Sequence, residues 1–149
     1  MKKRLVILMT AILFSITASY AKSNDGGVPE AVASEFSHSF YHASNAKWEK
    51  VDNYYEVTFS QFGTTLFAFY SEDSDFMGIA SYILSDKLPV SLISDLKTKY
   101  GNYWISDLFR YSINEKAGYC VTLENGDQKL MLKSDEGQKW YVYKAFKNY

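Results

Sequence analysis

Tyr55-Glu56-Val57-Thr58-Phe59 recurs 64 residues later as Tyr119-Cys120-Val121-Thr122-Leu123. A second stretch, Phe67-Ala68-Phe69-Tyr70-Ser71, recurs 63 residues later as Leu130-Met131-Leu132-Lys133-Ser134. The first stretch alternates, with Tyr55, Val57 and Phe59 on one side and Glu56 and Thr58 on the other, the period of a strand with one buried face. A sequence that returns to itself is organised as one structural unit used twice.

Each copy is preceded by a helix. Pro29 opens the first, at a position where a missing N–H costs nothing. Val32, Phe36, Phe40 and Ala43 form its apolar stripe, and Asn45 ends it. Pro89 opens the second, with Leu92, Leu96 and Tyr100 on the stripe, Ile93 beside them and Gly101-Asn102 at the end. The first unit continues with strands over 47–50, 54–60, 65–71 and 78–84. The second continues over 109–113, 119–124, 129–134 and 140–146, and Asn125-Gly126 marks a two-residue hairpin.

One helix and a small sheet cannot bury both apolar faces alone. The expected fold is therefore α+β, with two tandem helix-plus-antiparallel-strand repeats sharing one sheet and both helices on one face. The opposite face is left to solvent, as antiparallel sheets allow. Repeat one spans about 29–85 and repeat two about 89–149 of a single domain over 29–149.

Matching the copies assigns the faces. Val57, Phe59, Phe67 and Phe69 match Val121, Leu123, Leu130 and Leu132, and are the expected helix-facing core. Tyr54, Glu56, Thr58, Leu66, Ala68 and Tyr70 fall on the open face. So do Cys120, Thr122, Glu124, Lys129, Met131 and Lys133, together with Tyr82, Tyr141 and Tyr143. A slip of one residue would invert any of these assignments.

Residues 1–21 have the form of a secretory signal peptide. Lys2-Lys3-Arg4 is followed by an apolar run from Leu5 to Ile16, and Ser19-Tyr20-Ala21 supplies small residues for a cut after Ala21. The run of about twelve residues falls short of the roughly 20 that a spanning helix needs. The expectation is a periplasmic or secreted protein with no membrane insertion after cleavage and a flexible lead-in over 22–28. The leader carries three of the 16 basic and none of the 17 acidic residues, which leaves the mature chain at −4. Nucleic acid is not an expected partner, because its recognition needs a basic patch.

Cys120 is the sole cysteine, so no internal disulfide supports an exported fold. It reads as a strand thiol without a role. The core must stabilise the chain unaided, and an aromatic share of 17% makes that feasible.

Reactive constellations are few. Glu35, His38 and His42 have helical spacing, but on the solvated side opposite Val32 and Phe36, and they supply neither the ligand number nor the outer support of a metal site. No metal or other cofactor is expected. No serine or cysteine has an oriented base, and no nucleophile elbow appears. Glu72-Asp73 and Asp135-Glu136 read as equivalent turns and not as a carboxylate pair for glycoside chemistry. The chain is not read as an enzyme.

The layout resembles a family of exported bacterial proteins called PepSY-like or beta-lactamase-inhibitor-like, common in Bacteroidetes. The resemblance rests on the Val32-x3-Phe36-x3-Phe40 helix running into Ala46-Lys47-Trp48, and on Tyr55-Glu56-Val57-x-Phe59. In the second half it rests on Leu88-Pro89, the helix Ile93 to Tyr100, Tyr103-Trp104-Ile105 and Tyr119 to Leu123. It covers essentially the whole mature chain. It implies a fold of two α-β repeats and a non-enzymatic role, relatives including an inhibitor that grips an enzyme with an aromatic-rich sheet. Activity does not follow from fold alone. Aromatics are the remaining functional signal. Tyr54, Tyr70, Tyr82, Tyr141 and Tyr143 are the candidate anchors for a protein or peptide, since tyrosine is large, rigid and able to hydrogen-bond. Cross-strand packing that only stabilises the sheet accounts for these tyrosines equally well. The alternative function is a small-ligand carrier with its pocket between helix layer and sheet.

Overall fold

Hairpin pairing positions everything else. The computed structural model describes residues 27–147. The proposed leader and most of the lead-in lie outside them. The elements run α1 (Glu30–Ser39), β1 (Ser44–Val51), β2 (Tyr54–Gln61), β3 (Thr64–Ser71) and β4 (Phe76–Tyr82), then a short 3-10 turn at Ser85–Lys87. They continue with α2 (Val90–Lys99), β5 (Trp104–Ile113), β6 (Lys116–Glu124), β7 (Gln128–Asp135) and β8 (Tyr141–Lys147). A helix followed by four strands thus occurs twice. The strands form an antiparallel sheet in the order β1 to β8. The chain divides into two compact units between Ile79 and Ala80.

Turn chemistry explains the hairpins. Asp52 (φ 49°), Phe62 (φ 50°) and Asn114 (φ 49°) begin two-residue turns in the left-handed conformation that matches strand twist. The turn after β6 differs from expectation. It centres on Gly126 and Asp127, because the Asn125 carboxamide accepts from the Asp127 and Gln128 amides, both at 2.9 Å. This Asx arrangement moves the turn one residue along.

In unit one, Val32 and Phe36 of α1 pack on Tyr55, Val57, Phe59, Ala68 and Tyr70. The Phe36 ring lies 5.0 Å from Phe59 and 5.3 Å from Trp48, both edge-on, the geometry that ring quadrupoles favour. The helix stops at Ser39, earlier than its stripe suggests. Phe40 and Ala43 still pack on this core, from a turn closed by the Ala43 amide on the Phe40 carbonyl at 2.8 Å.

In unit two, Leu92 of α2 packs with Leu108, Val121, Leu123, Leu130 and Leu132. Trp140 joins this core and donates its indole N–H to the Leu92 carbonyl at 3.0 Å. The buried bond satisfies a polar group that would otherwise cost about 1–3 kcal/mol.

The face assignment is right in unit two and half inverted in unit one. Val121 pairs with Leu132 and Leu123 with Leu130, all on the helix side as expected. In unit one Val57 pairs with Ala68, not with a phenylalanine. Both strands therefore keep one spacing of 64: Ala68 occupies the place of Leu132, and Tyr70 that of Ser134. The apparent 63-residue match in β3 is off by one, and in a strand that slip exchanges faces. Leu66, Ala68 and Tyr70 lie on the helix side, whereas Phe67 and Phe69 lie on the other.

The face away from each helix is also not a solvated surface. In unit one Tyr54, Glu56, Phe67 and Phe69 are buried, with the Tyr54 and Phe69 rings 6.2 Å apart. In unit two Phe109, Cys120, Thr122, Met131 and Lys133 are buried. There the Tyr82 ring lies 4.2 Å from that of Phe109, tilted by 32°.

Candidate aromatic and polar site on unit two

Pairing across β5 to β8 sets one transverse row. Phe109 faces Cys120, Cys120 faces Lys133, and Lys133 faces Tyr141. Tyr82 of β4 closes the other end by its ring contact with Phe109. The middle of the row is buried, whereas Tyr82 and Tyr141 are 43% and 42% exposed. At about 4.8 Å per strand, four strand spacings put the two tyrosines roughly 19 Å apart. Tyr143 is the extra residue where the β7–β8 register shifts between Met131 and Leu132, and it is half-buried.

The adjacent row runs Tyr111, Gly118, Asp135. Gly118 has no side chain, and the Tyr111 ring occupies the space. A β-carbon at Gly118 would sit 2.5 Å from the Tyr111 Oη and 2.7 Å from its Cζ. The Tyr111 hydroxyl thereby reaches Asp135 Oδ1 at 2.5 Å. The Tyr141 hydroxyl donates to Asp135 Oδ2 at 2.9 Å, and Lys133 Nζ lies 3.2 Å from Oδ1. The same ammonium sits 5.2 Å from the Tyr111 ring centroid, on the negative face of the π system.

These contacts set the protonation states. Burial alone would raise the Asp135 carboxyl; the Tyr111 and Tyr141 hydroxyls and the Lys133 ammonium outweigh it and hold the group below its ordinary value. Tyr111 and Tyr141 are both pushed up, first by burial and then by donating to this carboxylate. Cys120 is pushed up to about 12, by burial above all, so its thiol stays protonated. A thiol in that state is a poor nucleophile.

The sequence-derived anchors therefore separate. Tyr82, Tyr141 and Tyr143 lie in unit two, the first two exposed. Tyr70 is fully buried on the helix side against Phe36 and Trp48, and Tyr54 is only 2% exposed. Neither offers an open surface. A turn reading of Asp135 leaves out its three partners, and no sequence motif marks Tyr111 or Gly118. The constant spacing of 64 was the signal available, since it sets Ser71 against Asp135 and shows that the two turns do not match as read.

His42 falls beyond the end of α1, so the helical Glu35–His38–His42 face is not formed. Its ring lies instead 4.1 Å from Tyr41 and 5.3 Å from Phe62. Among the described residues no three acidic, histidine or cysteine side chains gather as metal ligands. No helix among them is long and apolar enough to cross a membrane.

No protein-family model matches the sequence, and no curated protein matches it. Solved structures do match in fold. A BLIP-like protein from Bacteroides fragilis NCTC 9343 is 18% identical, with a TM-score of 0.67, over 91% of this chain and 94% of that one. A DUF2874 family protein from Bacteroides uniformis ATCC 8492 is 12% identical, with a TM-score of 0.70, over 80% and 89%. A protein from Bacteroides eggerthii DSM 20697, whose name places it provisionally in the periplasm, is 12% identical, with a TM-score of 0.72, over 82% and 90%. At these identities the likeness is one of fold.

Proposed function

We propose that this chain is a non-enzymatic, exported binding module, built from two copies of one duplicated unit, that engages a protein or peptide through unit two. The observation that carries the reading is the transverse row. Two exposed tyrosines, Tyr82 and Tyr141, flank a floor whose side chains are already ordered. Tyr141 is held by Asp135, which Tyr111 and Lys133 hold in turn. A rigid aromatic anchor loses little rotamer freedom on binding, and so converts more of its buried area into affinity. Tyr143 extends the aromatic strip at the bulge.

Export is supported by the leader-like residues 1–21 and by the name of the Bacteroides eggerthii neighbour. A protein-binding role is supported by the BLIP-like neighbour. The carrier reading is less favoured, because aromatic rings fill the layer between α1 and the sheet of unit one. The test is affinity capture from periplasmic extract with wild type and a Tyr82→Ser/Tyr141→Ser/Tyr143→Ser variant of equal thermal stability. A partner held by wild type and lost by the variant supports the reading. Equal capture by both, or capture by neither, sinks it.

A further inference from the structure

We propose that one end of unit one inserts shallowly into the interfacial zone of an uncharged phospholipid bilayer, with Phe62 leading and Tyr41 beside it. The contact uses unit one alone, so the inference stands independently of the tyrosine row.

Three rings gather at this end. The two-residue turn Phe62-Gly63 joins β2 to β3, and the turn after α1 holds Tyr41 and His42. Pairing of Ser44 with Ser60 brings the two turns together, and the Ser44 hydroxyl donates to the Ser60 carbonyl at 3.3 Å. The His42 ring lies 4.1 Å from that of Tyr41 and 5.3 Å from that of Phe62. Phe62 is 83% exposed and Tyr41 78%.

Folding does not require these rings, because unit two makes both turns without them. Its Tyr103 amide bonds the Tyr100 carbonyl at 3.0 Å, as the Ala43 amide bonds that of Phe40 at 2.8 Å. Its Asn125 amide bonds the Gln128 carbonyl at 3.0 Å and closes the hairpin. There Gly101 and Asn102 stand in place of Tyr41 and His42, and Gly126 and Asp127 in place of Phe62 and Gly63. Those are the usual turn formers. Phe62 also holds φ 50°, a left-handed conformation that is an outlier for a bulky side chain. Packing does not offset that strain at so exposed a ring, and strain kept in this way marks a working position.

Charge selects the occupant. Asp, Glu, Lys and Arg make up 22% of the chain, yet none occurs in 36–46 or in 57–71. Entry into a bilayer interface therefore strips water from no charged group in these segments, which is the costliest part of such a contact. Tyrosine suits the headgroup level, and an exposed phenylalanine gains by leaving water. An anionic surface is not selected, since no lysine or arginine of these segments meets it. A sugar is a poorer match, because the rings are tilted by 45° and 61° and share no flat platform. Shallow depth keeps the polar backbone of the turns hydrated.

The test uses the full mature chain and phosphatidylcholine vesicles, read by flotation. Wild type should float with the vesicles at low and high salt alike, because insertion is not screened. Phe62→Asn should lower the partition coefficient roughly tenfold, the scale of one inserted aromatic ring. Its thermal midpoint should hold or rise, because asparagine accepts the left-handed turn conformation; a purely structural role for the ring would lower it. Phe62→Trp should still bind, with a vesicle-induced blue shift and quenching by acyl-brominated lipid beyond any change in wild type. No flotation at millimolar lipid, or equal partition of wild type and Phe62→Asn, would overturn the proposal. So would flotation only with phosphatidylglycerol that salt abolishes, a lower midpoint for Phe62→Asn, or a wild-type dimer that Phe62→Asn dissolves.

Discussion

The Tyr111 hydroxyl donates a 2.5 Å hydrogen bond to Asp135 across Gly118, the residue that faces both of them in the sheet. The bond exists because Gly118 leaves room for the Tyr111 ring. Replacing Gly118 by Ala places a β-carbon 2.5 Å from the Tyr111 Oη and against the Ser134 carbonyl. Backbone on one side and a pinned ring on the other leave little freedom to relax. The expected cost is about 1–3 kcal/mol, the usual range for overpacking, read as a lower midpoint in urea.

Two tyrosine hydroxyls separate structure from burden. Tyr111→Phe removes a donor to a carboxylate and should cost about 1–2 kcal/mol. Tyr70→Phe removes a buried hydroxyl that has no hydrogen-bond partner among the described residues. That change should be neutral or stabilising, because the group loses hydration on folding without replacement. Parallel urea melts of the two variants check the contrast. A larger loss at Tyr70 than at Tyr111 would contradict it.

Acid sensitivity follows from Asp135. Its folded-state carboxyl lies below the ordinary value, so its contribution to stability is present above the unfolded-state value near 4 and is lost as pH falls through the folded one. Asp135→Asn should lower stability at neutral pH and flatten the decline below about pH 4. Thermal melts from pH 2 to 7 test this. Parallel curves for the two proteins would show that Asp135 is not the titrating group.

In unit one, Phe36 is the pivot of α1, edge-on to Phe59, Trp48 and Tyr70. Phe36→Ala should cost about 3–5 kcal/mol, the range for emptying a buried aromatic site. Hydrogen exchange should show the loss in β2 and β3, which carry most of its neighbours.

Much of this fold is legible in the residues. Val32, Phe36, Leu92 and Leu96 give both helices, and Val121, Leu123, Leu130 and Leu132 give a correct core in unit two. Unit one misleads because residue size and burial side disagree. Ala68 is small but faces the helix, where Phe36 and Tyr70 fill the volume, while Phe67 and Phe69 face away and are buried there too. A hydrophobic pattern with large residues on both faces does not fix its register; pairing does. The candidate site was legible only in part. Tyr82 and Tyr141 follow from alternation, but the meeting of Tyr111, Lys133 and Asp135 depends on pairing across three strands and on a side chain absent at Gly118.

The central claim is that Tyr82 and Tyr141 are two ends of one binding surface. The most direct measurement places a photo-reactive benzophenone amino acid at Tyr82, at Tyr141 or at the 83% exposed Phe62 of the β2–β3 turn, and cross-links in the intact cell. The account predicts the same cross-linked partner from 82 and 141 and none from 62. No adduct from either end of the row, or the same adduct from position 62, would contradict it.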